Sequence, residues 1–427
     1  MSASASVRAS TSKRLLAVSN GHGEDVIAVK ILQALRRRVP GMLLAGMPLV
    51  GTGERYVKQG FDIVGPVQAM PSGGFIYMDG RELLRDLRGG LLGLTWAQIR
   101  AMRRWAQSED AGAVSTVLAV GDIVPLLFGW LSGLHYSFVG TAKSDYYLRD
   151  EVATYKLGRM QAAGRRATAY EPWERGLMRR PNCWGAFPRD RLTTEELRAR
   201  GVLAVDAGNP MMDGFDIPGL SAVLATAEPL SLVLLPGSRT PEAYRNWQQI
   251  VAGLTSVIAH YPTVELTVAA APALDYGMLG EALTATGWTA VAADEYQQGA
   301  ARLKIGAAFV AMAQRAAGAI AMAGTATEQF VGLGKPAIIL PGGGPQFTPA
   351  FARAQTRLLG PSVTLVEEPD LVGPALAKIF DHPQQRQLIY ENGRRRMGDP
   401  GAGERIAAQV LKWLEAWQTS PDDTLVP

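Results

Sequence analysis

Short apolar runs alternate with longer amphipathic stretches along most of the chain. This alternation predicts parallel strands joined by crossover helices, and therefore two doubly wound α/β domains. The stretches between the runs have the period of helices, as in residues 91–105 and 401–417. The runs that we interpret as strands are residues 14–19, 42–47, 62–64, 114–120, 136–139, 231–235, 264–269, 288–292, 319–322 and 337–340.

A change in composition near residue 210 predicts the boundary between the two domains. The sequence Gly208-Asn209-Pro210 is typical of a chain turn, and the stretch from Pro218 to Pro229 is typical of a linker. The predicted divisions are a polar tail over residues 1–12, a first domain over 13–209, a linker over 210–229, a second domain over 230–400 and a final helix over 401–420.

Two loops of the second domain carry chemistry that suits a nucleotide. The run 231–235 is followed by a glycine turn, a hydroxyl and a guanidinium, which together can bind a diphosphate; they belong to Gly237, Ser238 and Arg239. The run 319–322 is followed by the start of a helix, formed by Gly324, Thr325, Thr327 and Glu328. Free N–H groups there suit a phosphate, and the carboxylate suits vicinal sugar hydroxyls. The structural alternatives are a capped helix and an arginine paired with a surface acid.

The first domain offers groups for proton transfer after its own strands. His22 lies between two glycines, and Glu24 or Asp25 could orient its ring and raise its basicity. Asp122 follows the run 114–120 in a similar position. Alternatively, His22 caps a helix whose first turn contains the two acids, and Asp122 is the N-cap of the next helix. The first turn lacks the three glycines of a dinucleotide site, which disfavours a dehydrogenase.

Composition excludes several classes of protein. The 427 residues are 47% hydrophobic, which is enough for two or three packed domains. One cysteine excludes an internal disulfide and a cysteine metal cluster, and the four histidines have no metal-ligand spacing, so we expect no metal cofactor. Residues 1–12 do not form a secretory signal, and the apolar run 117–134 is interrupted by Asp122 and Pro125. We therefore expect a cytoplasmic protein.

The distribution of charge suggests an anionic partner for the first half, either a lipid surface, a phosphorylated acceptor or nucleic acid; the alternative is a solvated basic surface. Residues 1–210 contain 28 Lys and Arg against 19 Asp and Glu, whereas the rest contains 15 against 20. The predicted helix 91–105 places apolar side chains, including Trp96, beside Arg100, Arg103 and Arg104. Such a helix can lie on an anionic membrane. The alternative is a helix packed in the core with an exposed basic edge.

Four segments resemble those of GT-B glycosyltransferases, and among these most of all the lipid-A-disaccharide synthases. They are NGHGED at residues 20–25, GNPMMD at 208–213, LLPGSR at 234–239 and AGTATEQ at 323–329. The loop PGGGPQF resembles that of the peptidoglycan lipid-II and diacylglycerol glycosyltransferases, and PGAGERIAAQVL resembles the last helix of lipid-directed members, which returns to the first domain. After residues 136–139 the chain reads VGTAKSDYYLRD and lacks the Trp-rich segment of the synthases, so the donor half matches better than the acceptor half.

This resemblance implies a GT-B fold, in which two Rossmann-like domains face each other across a cleft. It implies an inverting hexosyltransferase of glycolipid biosynthesis that uses a nucleotide sugar, specifically a UDP-sugar, and a lipid or lipid-linked acceptor. It further implies a peripheral protein at the inner face of the membrane, with neither a cofactor nor a nucleic-acid partner.

The same resemblance implies roles for individual residues. The second domain would contact the donor through Gly237, Ser238, Arg239, Gly324, Thr325, Thr327, Glu328, Gln346 and Phe347. Glu328 would bind the ribose, and Gln346 would bind the sugar. His22 is the preferred base, followed by Asp122 and Asp25. Two rival interpretations remain: a UDP-sugar 2-epimerase of the same fold, and a non-catalytic protein that binds nucleotide sugar and lipid.

Overall fold

The computed structural model describes residues 13–68, 91–108, 114–149, 168–225, 228–344 and 347–419. The chain divides into two compact units. The first comprises Met1–Lys143, Thr168–Pro210 and Gly401–Pro427, and the second comprises Ser144–Ala167 and Met211–Pro400.

The first unit contains a six-stranded parallel sheet. Its strands are β1 Lys13–Ser19, β2 Leu43–Pro48, β3 Asp62–Ile63, β4 Val114–Gly121, β5 His135–Gly140 and β6 Cys183–Phe187. They are arranged in the order β3-β2-β1-β4-β5-β6, and every pairing is parallel. The central strand β1 is buried along nearly its whole length, which explains its continuous apolar run. The connecting helices are α1 His22–Arg38, α2 Glu54–Lys58, α3 Leu91–Gln107, α4 Ile123–Leu131, α5 Pro172–Met178 and α6 Arg191–Arg198.

The second unit contains an eight-stranded sheet. Its strands are β7 Ser231–Leu235, β8 Glu265–Ala269, β9 Thr289–Ala292, β10 Glu295–Gln298, β11 Ala301–Gly306, β12 Gly318–Ala321, β13 Ala337–Ile339 and β14 Val363–Leu365. The order is β14-β13-β12-β7-β8-β11-β10-β9, with β9 and β10 antiparallel at one edge. Its helices are α7 Leu220–Leu224, α8 Glu242–His260, α9 Tyr276–Thr284, α10 Phe309–Arg315, α11 Thr325–Gly332, α12 Pro349–Leu359, α13 Val372–Phe380 and α14 Pro383–Met397.

Two doubly wound α/β units confirm the predicted fold class. The prediction missed four strands, β6, β10, β11 and β14, whereas the strand predicted at residues 288–292 is present. That run forms β9, which is exposed along its whole length and pairs antiparallel with the polar strand β10. An exposed edge strand has no buried face, so its apolar residues do not indicate how it pairs.

A short segment after β5 differs from the predicted division of the chain. We assigned residues 144–149 to the first domain, whereas they group with the second unit. The reason lies in two contacts with helices of that unit. Arg357 Nε donates a hydrogen bond to the Tyr147 carbonyl at 3.1 Å. The guanidinium of Arg396 lies over the Tyr146 ring, 4.0 Å from its centroid.

The last helix, α15 (Ala402–Thr419), belongs to the first unit. Its Glu404 forms salt bridges with Arg37 and Arg38 at the end of α1, at 2.6 and 3.0 Å. Its opposite face is buried, and Leu414 is fully inaccessible to solvent. None of the described helices combines the length and the hydropathy that a membrane span requires.

Strand β6 carries the single cysteine of the chain. Cys183 is buried and reduced. Burial raises the pKa of its thiol to about 12, since the thiolate would lose its hydration. The side chain therefore acts as a small apolar group of the core.

Truncation of Leu414 tests how strongly α15 is anchored. We expect Leu414→Ala to lower the free energy of unfolding by about 2–5 kcal/mol, because it leaves a cavity in a buried position. Glu415→Ala, at the neighbouring exposed residue that pairs with Lys13, should cost less than about 1 kcal/mol. Denaturant unfolding measures both values, and equal losses would contradict the packing described here.

Candidate functional site

Each sheet has a topological switch point, where two neighbouring parallel strands continue through crossovers in opposite directions across the sheet. In the first unit this place lies between β1 and β4, and in the second it lies between β7 and β12. At such a point the loops that leave the two strands diverge, which opens a crevice at their carboxyl ends. Leu235 and Ala321 are register partners, so the loops after β7 and β12 leave the same edge side by side. The predicted donor loops therefore adjoin each other within the second unit.

The loop after β7 presents a partly buried guanidinium. Gly237 has a φ of 101°, and a Cβ there would lie 3.2 Å from the Met322 carbonyl oxygen, so the turn requires glycine. Ser238 is exposed, and Arg239 is partly buried. Burial lowers the pKa of Arg239, and the carboxylate of Glu242 acts in the opposite direction. The alternative of an arginine with an acidic neighbour thus has structural support, although Glu242 is itself buried.

A buried asparagine joins the two loops. Asn246, on α8, donates from Nδ2 to the Pro236 carbonyl at 3.1 Å and to the Met322 carbonyl at 3.3 Å. Gln355, on α12, similarly donates from Nε2 to the carbonyls of Ala323 and Gly324. These amides fix the backbone of both loops. Sequence reasoning missed them because each is distant along the chain from the loop that it holds.

The first residues of the helix that follows β12 differ in their exposure to solvent. Thr325 is exposed at the start of α11. Thr327 is buried, and its hydroxyl donates to the Ala323 carbonyl at 2.6 Å. This bond stabilises the turn through the side chain and leaves the predicted phosphate contact, which is through the backbone N–H groups, as a prediction. Glu328 is 8% exposed, one turn into the helix.

The glycine-rich loop after β13 is anchored by a carboxylate. Glu242 Oε1 accepts a hydrogen bond from the Phe347 backbone N–H at 2.6 Å, and it fills the space that a side chain at Gly344 would need. The Phe347 ring is buried and packs on Phe351, with ring centroids 5.4 Å apart. The backbone amide of Phe347 is thus already occupied, in contrast to its predicted contact with the donor sugar. Gln346 lies outside the described residues.

In the first unit, two of the predicted bases already have structural partners. Asp25 is buried and accepts a hydrogen bond from Ser19 Oγ at 2.6 Å; Ser19 also contacts the Tyr56 hydroxyl at 2.6 Å. Burial raises the pKa of Asp25 to about 6. Asp122 is the N-cap of α4, as the structural alternative proposed, and accepts a hydrogen bond from the Val124 N–H at 2.9 Å. Burial raises its pKa as well.

Glu24, predicted from the sequence as a possible partner of His22, lies beside the other acids of this unit. It lies in the first turn of α1, and Thr141 Oγ1 donates to its Oε1 at 3.3 Å. Burial raises the pKa of Glu24 to about 7, and the charges of Asp122 and Asp25 act in the same direction. The sequence offered Glu24 only as a partner for the His22 ring or as a first-turn acid, because its neighbours Asp122 and Thr141 follow other strands.

The remaining predicted residues lie on α1 and α3. His22 is the first residue of α1, and its side chain lies outside the described part of the structure. On α3, Trp96 is 56% exposed, and the guanidinium of Arg100 lies over its ring at 5.3 Å. Arg103 and Arg104 are also exposed. The opposite face of α3, which includes Met102, is buried, so the helix has both a packed side and a basic, partly aromatic side.

Among the described residues, no three His, Cys, Asp or Glu side chains are arranged to hold a metal ion. The acids at the ends of β1 and β4 take part in hydrogen bonds with neighbouring loops. Asn20 connects two of these loops, since its Nδ2 lies 3.2 Å from each oxygen of Asp122.

Comparison with known proteins defines the class of fold. No family model matches the chain, and no curated protein matches its sequence. Among solved structures, the calicheamicin glycosyltransferase CalG4 superposes with a TM-score of 0.58 at 14% identity, over 95% of this chain and 99% of that one. MurG of Acinetobacter baumannii gives 0.55 at 12% identity, over 94% and 99%. A UDP-GlcNAc 2-epimerase of Neisseria meningitidis, solved with UDP-GlcNAc, gives 0.54 at 11% identity, over 93% and 100%.

These similarities extend over nearly the whole of each chain. The protein therefore has the GT-B fold, which glycosyltransferases and sugar-nucleotide epimerases share. At such low identity the likeness concerns the fold, and the chemistry must be argued from the residues of this chain.

Replacement of Asn246 tests whether it joins the two loops. Asn246→Ala removes the donor to two backbone carbonyls, and we expect it to lower the free energy of unfolding by about 1–3 kcal/mol. Asn246→Asp should cost more at neutral pH, because a carboxylate would face the same two oxygens. Gln248→Ala, at an exposed position of the same helix, should have little effect. Denaturant unfolding of the three variants provides the comparison.

Glu24→Gln should make the protein more stable at alkaline pH. The pKa of Glu24 is higher in the folded protein than in the unfolded chain, so its contribution to stability falls as pH rises from about 4.5 to about 7. Glutamine resembles the protonated acid and avoids this loss. We expect a gain of about 1–3 kcal/mol at pH 8 and almost none at pH 4. Thermal unfolding at both pH values measures the gain; Glu195→Gln, an exposed surface pair with Arg191, is the control.

Proposed function

We propose that the protein is an inverting glycosyltransferase that moves a sugar from a nucleotide-sugar donor, a UDP-sugar, to a lipid or lipid-linked acceptor. The observation that carries this proposal is the pair of adjacent loops in the second unit. Arg239 follows β7, Glu328 follows β12, and Asn246 holds both backbones in place. An arginine and a buried carboxylate on neighbouring loops match the diphosphate and the ribose of one nucleotide.

The donor would be bound mainly by the second unit. Arg239, with Ser238 and the N–H groups at the start of α11 near Thr325, would hold the diphosphate. Glu328 would accept hydrogen bonds from the ribose hydroxyls. When the sugar leaves, the diphosphate gains negative charge, so a fixed guanidinium stabilises the transition state more than the bound substrate. Because these groups supply positive charge, the proposal requires no metal ion.

The acceptor and the base would be supplied by the first unit. A base at the carboxyl ends of β1 and β4 would take the proton of the acceptor hydroxyl as its oxygen attacks the anomeric carbon. The sequence favours His22, with Asp122 and Asp25 next. The exposed side of α3, with Trp96 and its three arginines, would hold the protein on the cytoplasmic face of an anionic membrane.

A closer relation to lipid-A-disaccharide synthases is part of this proposal and rests on the four sequence motifs. The segment at residues 136–149 departs from those enzymes, so the acceptor is proposed only as a lipid or lipid-linked sugar. The GT-B neighbours include proteins named for glycosyl transfer, which agrees with a transferase.

A second candidate is a UDP-sugar 2-epimerase. One support is the structural similarity to the epimerase that was solved with UDP-GlcNAc. The other is Glu24, a carboxyl group whose pKa of about 7 suits acid–base catalysis. An epimerase would convert free UDP-sugar without an acceptor. Product analysis by NMR separates the candidates: a new UDP-sugar formed without lipid supports the epimerase, whereas UDP released only with an acceptor supports the transferase.

Calorimetry with UDP, UDP-GlcNAc, UDP-glucose and UDP-galactose tests donor binding. We expect at least one of them to bind, and to stabilise the protein by about 2.7 kcal/mol at a hundredfold excess over Kd. Arg239→Ala and Glu328→Ala should each weaken binding about tenfold or more, since each removes a charged contact. The exposed residues Arg245 and Glu281 provide matched alanine controls. Affinities unchanged by both substitutions would exclude these roles, and failure of all four ligands to bind would exclude the proposal.

A further inference from the structure

Glu24 occupies the switch point of the first sheet. Its side chain extends from the first turn of α1 toward the ends of two other strands. Gly121, the last residue of β4, leaves room for it, because a Cβ there would lie 3.3 Å from Glu24 Cγ. Thr141, which follows β5, donates to its carboxylate. Glu24 is half-buried, in contrast to the buried Asp25.

The two neighbouring acids are less suited to accept a proton from a substrate. Asp122 accepts a hydrogen bond from the Val124 N–H, and both of its oxygens accept from Asn20 Nδ2. Asp25 is 4% exposed and is bound by the Ser19 hydroxyl. Both carboxylates thus serve to position backbone and side chains around the switch point.

A buried amide beside the acids lacks one partner. Asn20 is 6% exposed, and its Nδ2 is directed at Asp122. Its Oδ1 is buried and has no hydrogen-bond partner among the described residues. A buried carbonyl oxygen without a donor is costly, so a hydroxyl from a bound molecule would complete its hydrogen bonding. Asn20 thus offers, beside the acids, one hydrogen-bond acceptor that no described residue uses.

We propose that Glu24, rather than His22, is the general base that deprotonates the acceptor hydroxyl. This inference rests on the proposed transferase function. The acceptor oxygen forms a bond to the anomeric carbon while its proton passes to the Glu24 carboxylate. The bond between that carbon and the phosphate oxygen breaks, and its electron pair leaves with UDP. Glu24 becomes a neutral acid, which returns its proton to solvent before the next turnover.

The surroundings of Glu24 suit this task. Its pKa of about 7 arises mainly from burial, and a base with a pKa near the working pH combines availability with strength. The titratable groups that face it are Asp25 on its own helix, Asp122 after β4 and Tyr56 on α2. Further out, Glu174 on α5 faces Asp122 and is paired with Lys143.

The closing experiment measures donor affinity and turnover separately. The donor is the UDP-sugar that binds in calorimetry, and UDP release is followed with detergent-dispersed dioleoylglycerol or with water as acceptor. We expect Glu24→Gln to lower kcat by about 10²- to 10⁴-fold, with the Kd of the donor unchanged within about threefold. Glu195→Gln should match the unaltered protein in both measurements. His22→Ala should retain more activity than Glu24→Gln.

The pH profile gives a readout that a purely structural role would not change. The activity of the unaltered protein should fall below about pH 7, as Glu24 becomes protonated. Thr141→Val removes a hydrogen bond that favours the charged form, so it should move this limb to higher pH.

The outcomes distinguish the inference from the function on which it rests. Donor binding with turnover retained by Glu24→Gln would overturn the role of Glu24 alone. The role of Glu24 would also be overturned if Thr141→Val left the acidic side of the pH–activity profile at the same pH as in the unaltered protein. Absence of donor binding, or binding without UDP release with either acceptor, would overturn the transferase proposal and the role of Glu24 with it.

Discussion

The parallel pairing of β1 with β4, and of β7 with β12, is the constraint on which the rest of the structure depends. Parallel strands require crossover connections, and the strand order reverses at these two pairings. Two loops therefore separate at the carboxyl edge of each sheet, and a helix begins immediately after each of them. The fold alone therefore brings positive helix ends, glycine turns and short polar side chains together at these edges.

The two switch points differ in the charged groups that surround them. In the second unit, the adjacent loops carry an arginine and lead to a buried carboxylate, and two amide side chains hold their backbone rigid. In the first unit, three carboxyl groups lie near one another, and burial raises the pKa of each. Under the proposed function, the switch point of the second unit would bind a diphosphate and a ribose, and that of the first would accept a proton. A group-transfer enzyme needs both kinds of chemistry, and a fold with two sheets can develop them independently.

The sequence was sufficient for features that are encoded locally. Strands β1, β7 and β12 are continuous apolar runs, and the loops that follow them contain the glycines and acids of a site. The capping role of Asp122 was also visible, because an N-cap bonds to a residue only two positions ahead. Features that join distant segments could not be predicted. Asn246 binds a carbonyl 76 residues away, and the pKa of Glu24 depends on burial against β4 and β5. A single sequence without related sequences does not indicate such pairs.

The buried thiol of Cys183 has a practical consequence. With a pKa of about 12, the thiol is almost entirely protonated at neutral pH, and the side chain is buried in the core of the first unit. Electrophilic labels should therefore modify this chain only when the first unit opens. Since the protein has one cysteine, the rate of labelling would report how often this region opens, locally or globally, without an introduced probe. A bound ligand that slows the labelling of Cys183 would therefore stabilise the first unit against opening.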